Sequence, residues 1–118
     1  SDVLSICCPA TKETKDIINK RTLEYFPTGA IITNVARGDI IEDEAMVEAL
    51  TSRKIYAIGL DVYKGEPKIH PGYLKQPTAF ILPHLGSATK KTRTAMANLA
   101  IDNLDEYFKT GNCKNKVN

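Results

Sequence analysis

The chain lacks tryptophan, and its aromatic content is 7%, carried by five tyrosines and three phenylalanines. It lacks a charge bias: 16 basic and 14 acidic residues leave a net +2, and the two signs are interspersed. That excludes the basic footprint of a nucleic-acid binder and a charged membrane-surface helix. No apolar run approaches the roughly 20 residues needed to span a bilayer. No signal-peptide pattern opens the chain at Ser1. Cysteine is scarce and odd in number: Cys7, Cys8 and Cys113. Two of the three are adjacent, so they imply neither a disulfide framework nor a metal-ligand spacing. Reduced thiols and a cytoplasmic location are the resulting expectation. Cys7 and Cys8 are expected to pack at a strand end.

What remains is a soluble composition of 118 residues, enough for one modest domain. The chain is organised around Ala30-Ile31-Ile32-Thr33-Asn34-Val35-Ala36-Arg37-Gly38. This continuous apolar, β-branched run between Gly29 and Gly38 has the pattern of a central parallel strand buried on both faces. Val3 to Cys8, closed by Pro9, reads as a shorter buried strand. Such a strand opening directly at Ser1 suggests the C-terminal part of a longer chain. Asn19 is placed to cap a short helix, Lys20 to Tyr25, and Asp43 to cap a second. That second helix presents Met46, Ala49 and Leu50 on one face and Glu44 and Glu48 on the other, with Arg53 and Lys54 in its last turn. Ile55 to Val62 and Ala79 to Leu82 read as further strands. Lys64 to Pro77, with three prolines and two glycines, reads as irregular.

The longest helix spans about Ala88 to Lys109, with Met96, Leu99, Ala100, Leu104, Tyr107 and Phe108 at helical spacing. Gly111 is placed to end it in the left-handed conformation. Alternation of strand and helix gives an α/β fold with a parallel sheet and right-handed crossovers.

In an open parallel sheet, ligands bind beyond the carboxyl ends of the strands. Arg37, Asp61, Glu66 and His84 all fall at or just past such ends. A guanidinium there can hold a small carboxylate at two points. A carboxylate beside an imidazole stabilises its protonated form, and a protonated histidine can donate to a carbonyl oxygen. Glu66, His70 and His84 also offer metal-ligand types, without a recognised spacing. Ser87 has no glycine-flanked elbow that would make it a nucleophile.

Three segments now align. Asn34 to Gly38, Gly59-Leu60-Asp61-Val62-Tyr63-Lys64-Gly65-Glu66-Pro67 and Leu82-Pro83-His84-Leu85-Gly86-Ser87-Ala88-Thr89 resemble, in order and spacing, the D-isomer-specific 2-hydroxyacid dehydrogenases. With Thr92 to Met96, the likeness is strongest to glyoxylate/hydroxypyruvate reductases. The resemblance implies a Rossmann-like fold: residues 1–86 as the second half of the NAD(P)-binding domain, residues 87–118 as a helix and tail returning to the substrate domain. It implies that Arg37 binds the substrate carboxylate, His84 is the general acid, and Glu66 orients and charges it. Asp61 would contact the nicotinamide carboxamide. Cys8, Pro9 and Thr14 would lie along NAD or NADP, with Val35, Ala36, Gly86 and Ser87 supplying backbone contacts, and Arg37 and His84 bordering the cofactor. The substrate would be a small 2-keto or 2-hydroxy acid, and the natural-length protein a homodimer.

The resemblance also marks what this chain does not contain. Its seven glycines never form G-x-G-x-x-G, and the residue selecting NAD over NADP lies upstream in such enzymes. Alone, these 118 residues should bind cofactor poorly and turn over nothing, with part of the long helix's apolar stripe uncovered. A 3-phosphoglycerate dehydrogenase is another branch of the family. Formate dehydrogenases are disfavoured, since they carry glutamine in place of Glu66. An NAD-sensing corepressor-like scaffold is the rival from outside enzymology.

Overall fold

The structure is a computed structural model and describes residues 1–117. It divides into two compact units, residues 1–84 and 85–117.

The first unit is built on four parallel strands, β1 (Val3–Ile6), β2 (Ala30–Asn34), β3 (Ile55–Leu60) and β4 (Ala79–Ile81). They stand side by side in sequence order. Parallel neighbours need crossovers. α1 (Lys20–Leu23) lies between β1 and β2, α2 (Asp43–Thr51) between β2 and β3. Crossovers of one hand between strands in sequence order all pass over the same face of the sheet. The core therefore lies on that face, where Ile32, Ile58 and Leu60 meet Ile40, Met46, Ala49 and Leu50.

This corrects the expectation of strands buried on both faces. Ala30, Ile32 and Asn34 of β2 are buried, while Ile31 between them is exposed. Of β1, an edge strand, only Ile6 is buried. β1 also ends at Ile6, so Cys7 and Cys8 do not pack at its end; both are exposed.

Local chemistry sets the helix ends. The Asn19 side chain accepts from the Thr22 N–H, and the Thr22 hydroxyl accepts from the Asn19 N–H, a reciprocal capping box. Asp43 is not a cap. Glu42 occupies that position, without a side-chain hydrogen bond, and Asp43 is the first helical residue. Its carboxylate is turned inward and accepts from the Tyr73 hydroxyl at 3.0 Å, both groups buried. Arg53 and Lys54 lie past the end of α2. Lys54 Nζ instead donates to the carbonyls of Glu24 and Phe26, just beyond α1. That satisfies orphan acceptors at a helix C-terminus. Glu48 pairs with Lys20 at 3.2 Å on the outer side of α2.

The stretch between β3 and β4 is irregular but anchored. A short 3-10 turn, Tyr73–Lys75, buries Tyr73 almost completely. Burial, partly offset by the Tyr73 hydrogen bond, pushes the Asp43 carboxyl above its ordinary value. Tyr73→Phe leaves that carboxylate short of a donor, so the natural-length protein should lose about 1–3 kcal/mol of unfolding free energy at neutral pH. The sign fixes the pH dependence. A raised folded pKa penalises the ionised form, and losing the donor raises it further. The unfolded value is common to both proteins, so the deficit should shrink as pH falls through the raised folded values of variant and parent. Denaturant unfolding at pH 7 and in mild acid checks it.

The second unit is α3 (Lys90–Thr110) with its flanks. The Thr89 hydroxyl caps it by accepting from the Thr92 N–H at 3.1 Å, which moves its start two residues past the expected Ala88. Gly111 ends it at φ +73°, as expected of a left-handed cap. None of its residues is buried; Met96, Leu99, Leu104, Tyr107 and Phe108 are all exposed. No helix among the described residues is long and apolar enough to cross a membrane.

Candidate active site

Three loops leave the carboxyl ends of β2, β3 and β4, and backbone contacts lock them to one another. Asn34 ends β2, fully buried. Its side-chain amide donates to the Arg37 carbonyl at 2.8 Å, and its side-chain oxygen accepts from the Ala36 N–H at 3.0 Å. A buried amide satisfied on both sides fixes the path of the Val35–Arg37 turn. Gly38 then lies flat against the next loop. A β-carbon there would overlap the backbone of Tyr63 and Lys64, so only glycine permits the approach. The Asp61 N–H donates to the Asn34 carbonyl at 3.0 Å, and the His84 N–H to the Asp61 carbonyl at 2.9 Å. Residues distant in sequence thus share one edge of the sheet.

On that edge, His84 and Glu66 meet. His84 Nδ1 is 2.8 Å from Glu66 Oε2. The other carboxylate oxygen accepts from the Tyr63 N–H at 3.1 Å. The bond to His84 holds the Glu66 carboxyl below its ordinary value; burial opposes this, and the Tyr63 N–H adds to it. The pair is only partly covered, with 47% of the His84 side chain and 32% of the Glu66 side chain exposed. His84 sits at φ +55°, in the left-handed region. A non-glycine residue held there costs about 1–3 kcal/mol and persists only where its surroundings enforce it, and such residues cluster at active sites. The hydrogen bond to Asp61 is part of that enforcement.

Arg37 is exposed on the neighbouring turn. One guanidinium nitrogen, Nη1, donates to the Ala36 carbonyl at 2.7 Å. A further ion pair ties the Glu66 loop to the loop after β1: Lys64 Nζ meets Asp16 Oδ1 at 2.7 Å, and the Asp16 N–H donates to the Asp39 carbonyl. Burial works against the Lys64 ammonium, but its bond and attraction to Asp16 outweigh it and raise the group above its ordinary value.

Beside Arg37 opens a cleft of about 630 Å³ at the ends of β1 and β2, lined by Cys7, Cys8, Pro9, Ala10, Val35, Ala36, Arg37 and Asp39. Thr14 is not on its wall. Its hydroxyl donates to the Pro9 carbonyl at 2.7 Å and so shapes the loop that is. Asp61 follows β3 directly, half-buried. Gly86 and Ser87 belong to the second unit, in the segment before α3. His70 is drawn away from Glu66 and His84. Its Nδ1 accepts from the Gly72 N–H, and its Nε2 lies 3.9 Å from Glu44. Among the described residues no group of three His, Cys, Asp or Glu side chains could hold a metal ion.

A parallel sheet with a cleft at its carboxyl edge, and an imidazole–carboxylate pair past the ends of neighbouring strands, is the arrangement of a ligand-binding α/β domain. Residues 1–86 match the family model described as D-isomer specific 2-hydroxyacid dehydrogenase, NAD binding domain. The chain is 42% identical over 108 residues to the glycerate dehydrogenase of Hyphomicrobium methylovorum, covering 92% of this chain and 34% of that one. It is 39% identical over 111 residues to glyoxylate reductase 1 of Saccharomyces cerevisiae, covering 94% and 32%. Among solved structures it resembles a glyoxylate reductase from Paecilomyes thermophila, with a TM-score of 0.90 at 38% identity over 99% of this chain and 36% of that one. It also resembles the NADPH-dependent glyoxylate/hydroxypyruvate reductase of Sinorhizobium meliloti in complex with NADP and malonate. There the TM-score is 0.90 at 35% identity, over 96% of this chain and 35% of that one. The chain belongs to the D-isomer specific 2-hydroxyacid dehydrogenase family. It spans about a third of the length of the relatives it matches.

Sequence reasoning missed Asn34, Gly38 and Tyr63 as shapers of the site. The one available signal was a polar Asn34 inside an otherwise apolar run.

Proposed function

We propose that the natural-length protein reduces a small 2-keto acid, glyoxylate or hydroxypyruvate foremost, to the 2-hydroxy acid with NADH or NADPH. The His84–Glu66 pair carries this reading. With Glu66 on Nδ1, the opposite ring nitrogen, Nε2, is left as proton donor, and an ionised carboxylate behind the ring stabilises the imidazolium. The proton passes from Nε2 to the carbonyl oxygen as the carbonyl carbon is reduced, and returns when the 2-hydroxy acid is oxidised. Arg37 holds the substrate carboxylate and steadies charge developing on the oxygen.

The open cleft beside Arg37 fits the nicotinamide half of the cofactor. Cys7, Cys8, Pro9, Ala10, Val35 and Ala36 make most of its wall, with Arg37 and Asp39 at the polar side. Cys8, Pro9, Val35 and Ala36 would hold that half, with Asp61 toward the carboxamide and Thr14 keeping the Pro9 loop in place. The cofactor supplies the hydride when bound. The phosphate-binding glycines lie outside this chain, so it contributes the second half of the nucleotide domain. Residues 87–118 serve the substrate domain, the protein is cytoplasmic, and two copies form a dimer.

The test follows NADH and NADPH oxidation by the natural-length protein with glyoxylate, hydroxypyruvate and pyruvate. Rapid turnover on a 2-keto acid supports the reading. Cofactor binding without turnover on any of them replaces it with a nucleotide-sensing scaffold.

Glu66→Gln probes the pairing. Glu66 Oε2 lies 2.8 Å from His84 Nδ1 and orients the ring with a negative charge behind it. Glutamine keeps a polar acceptor but removes that charge, so kcat/KM for the keto acid should fall about 10²-fold with cofactor affinity unchanged. A kcat/KM within a few-fold of the parent refutes the pairing.

A further inference from the structure

We infer that Lys64 is a positioning residue: its ion pair with Asp16 sets the place of the Tyr63–Glu66 loop, and through it the place of the Glu66 carboxylate behind His84. The consequence for the reaction rests on the proposed function; the placement of the loop does not.

Three loops at the carboxyl edge of the sheet are joined in a ring. The loop after β1 meets the loop after β2 through the Asp16 N–H, which donates to the Asp39 carbonyl at 2.8 Å. The loop after β2 meets the loop after β3 where Gly38 lies against the backbone of Tyr63 and Lys64. Lys64 Nζ closes the ring on Asp16 Oδ1 at 2.7 Å. The first two links are backbone, and the third is made by side chains. Asp16 is the firm end of it. Its N–H is held by Asp39, and its carbonyl accepts from the Asn19 side-chain amide at 2.8 Å. The Lys64 end has more freedom. Gly65 follows it at φ +76°, and glycine leaves the backbone many alternatives. The bond from the Tyr63 N–H to Glu66 lies within the loop, so it keeps the loop's shape without fixing its place.

Charge draws the loop the same way, because Asp39 and Asp43 also attract the Lys64 ammonium. Both side chains of the pair are 35% exposed. A pair that accessible adds little to global stability, so its removal should leave the unfolding midpoint nearly in place. It can bias the loop by no more than its own strength, which sets an effect of about fivefold. The loss falls on one step. The turn that carries Arg37 is fixed separately by Asn34, so the grip on the substrate carboxylate is untouched. Proton transfer from His84, which depends on Glu66 behind the ring, is not.

The experiment uses the natural-length protein. Asp16→Asn is the main variant: asparagine tolerates the φ of +49° at that position, and the ammonium stays opposite Asp39 and Asp43. Lys64→Met removes the other partner, and Lys64→Arg restores a cation of similar reach. Hydrogen exchange of residues 61–67 should be faster than the parent's in Asp16→Asn and Lys64→Met, and parental in Lys64→Arg. For the keto acid, kcat should fall about fivefold in the first two, with KM and cofactor affinity held within about twofold. In a Glu66→Gln protein, adding Asp16→Asn should lower kcat by less than about twofold, because the two changes share one route. Parental exchange in both Asp16→Asn and Lys64→Met overturns the anchoring. Failure of Lys64→Arg to recover exchange and kcat overturns the ion pair as its cause. The full fivefold loss in the Glu66→Gln protein, or a raised KM with kcat unchanged, overturns the route through Glu66. If the parent reduces no keto acid, the proposed function fails while hydrogen exchange still decides the anchoring.

Discussion

Replacing His84 with alanine should lower keto-acid reduction by about 10²–10⁴, the range a positioned general acid contributes, while NAD(P)H binding stays within a few-fold. The geometry gives the reason. His84 is held by the Glu66 carboxylate at 2.8 Å and by its own N–H on the Asp61 carbonyl, so its ring is oriented before any substrate arrives. A pre-oriented donor avoids reorganisation during the reaction. Alanine alone would leave an ambiguity. At φ +55° a non-glycine residue is strained, and a change in backbone preference could distort the loop. His84→Asn removes that ambiguity, because asparagine tolerates the left-handed region yet has no transferable proton at neutral pH. Both variants should lose the reaction to a similar degree. Steady-state NADH or NADPH oxidation, with cofactor binding followed by fluorescence, makes the comparison. Activity of His84→Asn within tenfold of the parent would remove proton donation from His84.

The contrast between what the chain advertises and what the fold supplies is clearest around these residues. Strand identity was legible, because runs such as Ala30–Asn34 and Ile55–Leu60 carry apolar, β-branched patterns between turn residues. The Asn19 cap and the Gly111 stop were legible too, since each depends on chemistry local to one turn. Asp43 was misread as a cap for the same local reason: an acidic residue before a helical pattern looks the same whether it caps or not. Its actual partner, Tyr73, lies thirty residues away in a proline- and glycine-rich stretch without periodicity. Burial on both faces of the central strand was inferred from the continuity of its apolar run. How many layers cover a sheet depends on crossovers that a single run does not encode. At the site, residue types were legible and their support was not. Gly38 gives no sign in sequence that the Tyr63–Lys64 backbone lies against it, and only the folded chain brings the Tyr63 N–H to Glu66.

Arg37→Ala should lower kcat/KM for the keto acid by about 10²–10³, the loss of roughly 2.7–4 kcal/mol of transition-state stabilisation, with cofactor affinity nearly unchanged. Two features support the proposed role of Arg37 as a substrate group rather than a structural one. It is exposed on a turn whose shape is fixed without its side chain, by Asn34 bonds to the Arg37 carbonyl and the Ala36 N–H. Removing the guanidinium therefore leaves the turn in place. And with Nη1 on the Ala36 carbonyl, the guanidinium is anchored through one nitrogen while retaining further donors in its planar fork. Anchoring at one point lowers the entropy lost when a carboxylate is gripped. Arg37→Lys sharpens the test. It keeps the positive charge but not the fork, so it should recover only part of the lost kcat/KM if two-point recognition matters, and nearly all of it if charge alone does. Measuring both variants against glyoxylate and hydroxypyruvate, with NAD(P)H titrated separately, divides the outcomes. A collapse of cofactor affinity in Arg37→Ala would reassign the residue to the cofactor.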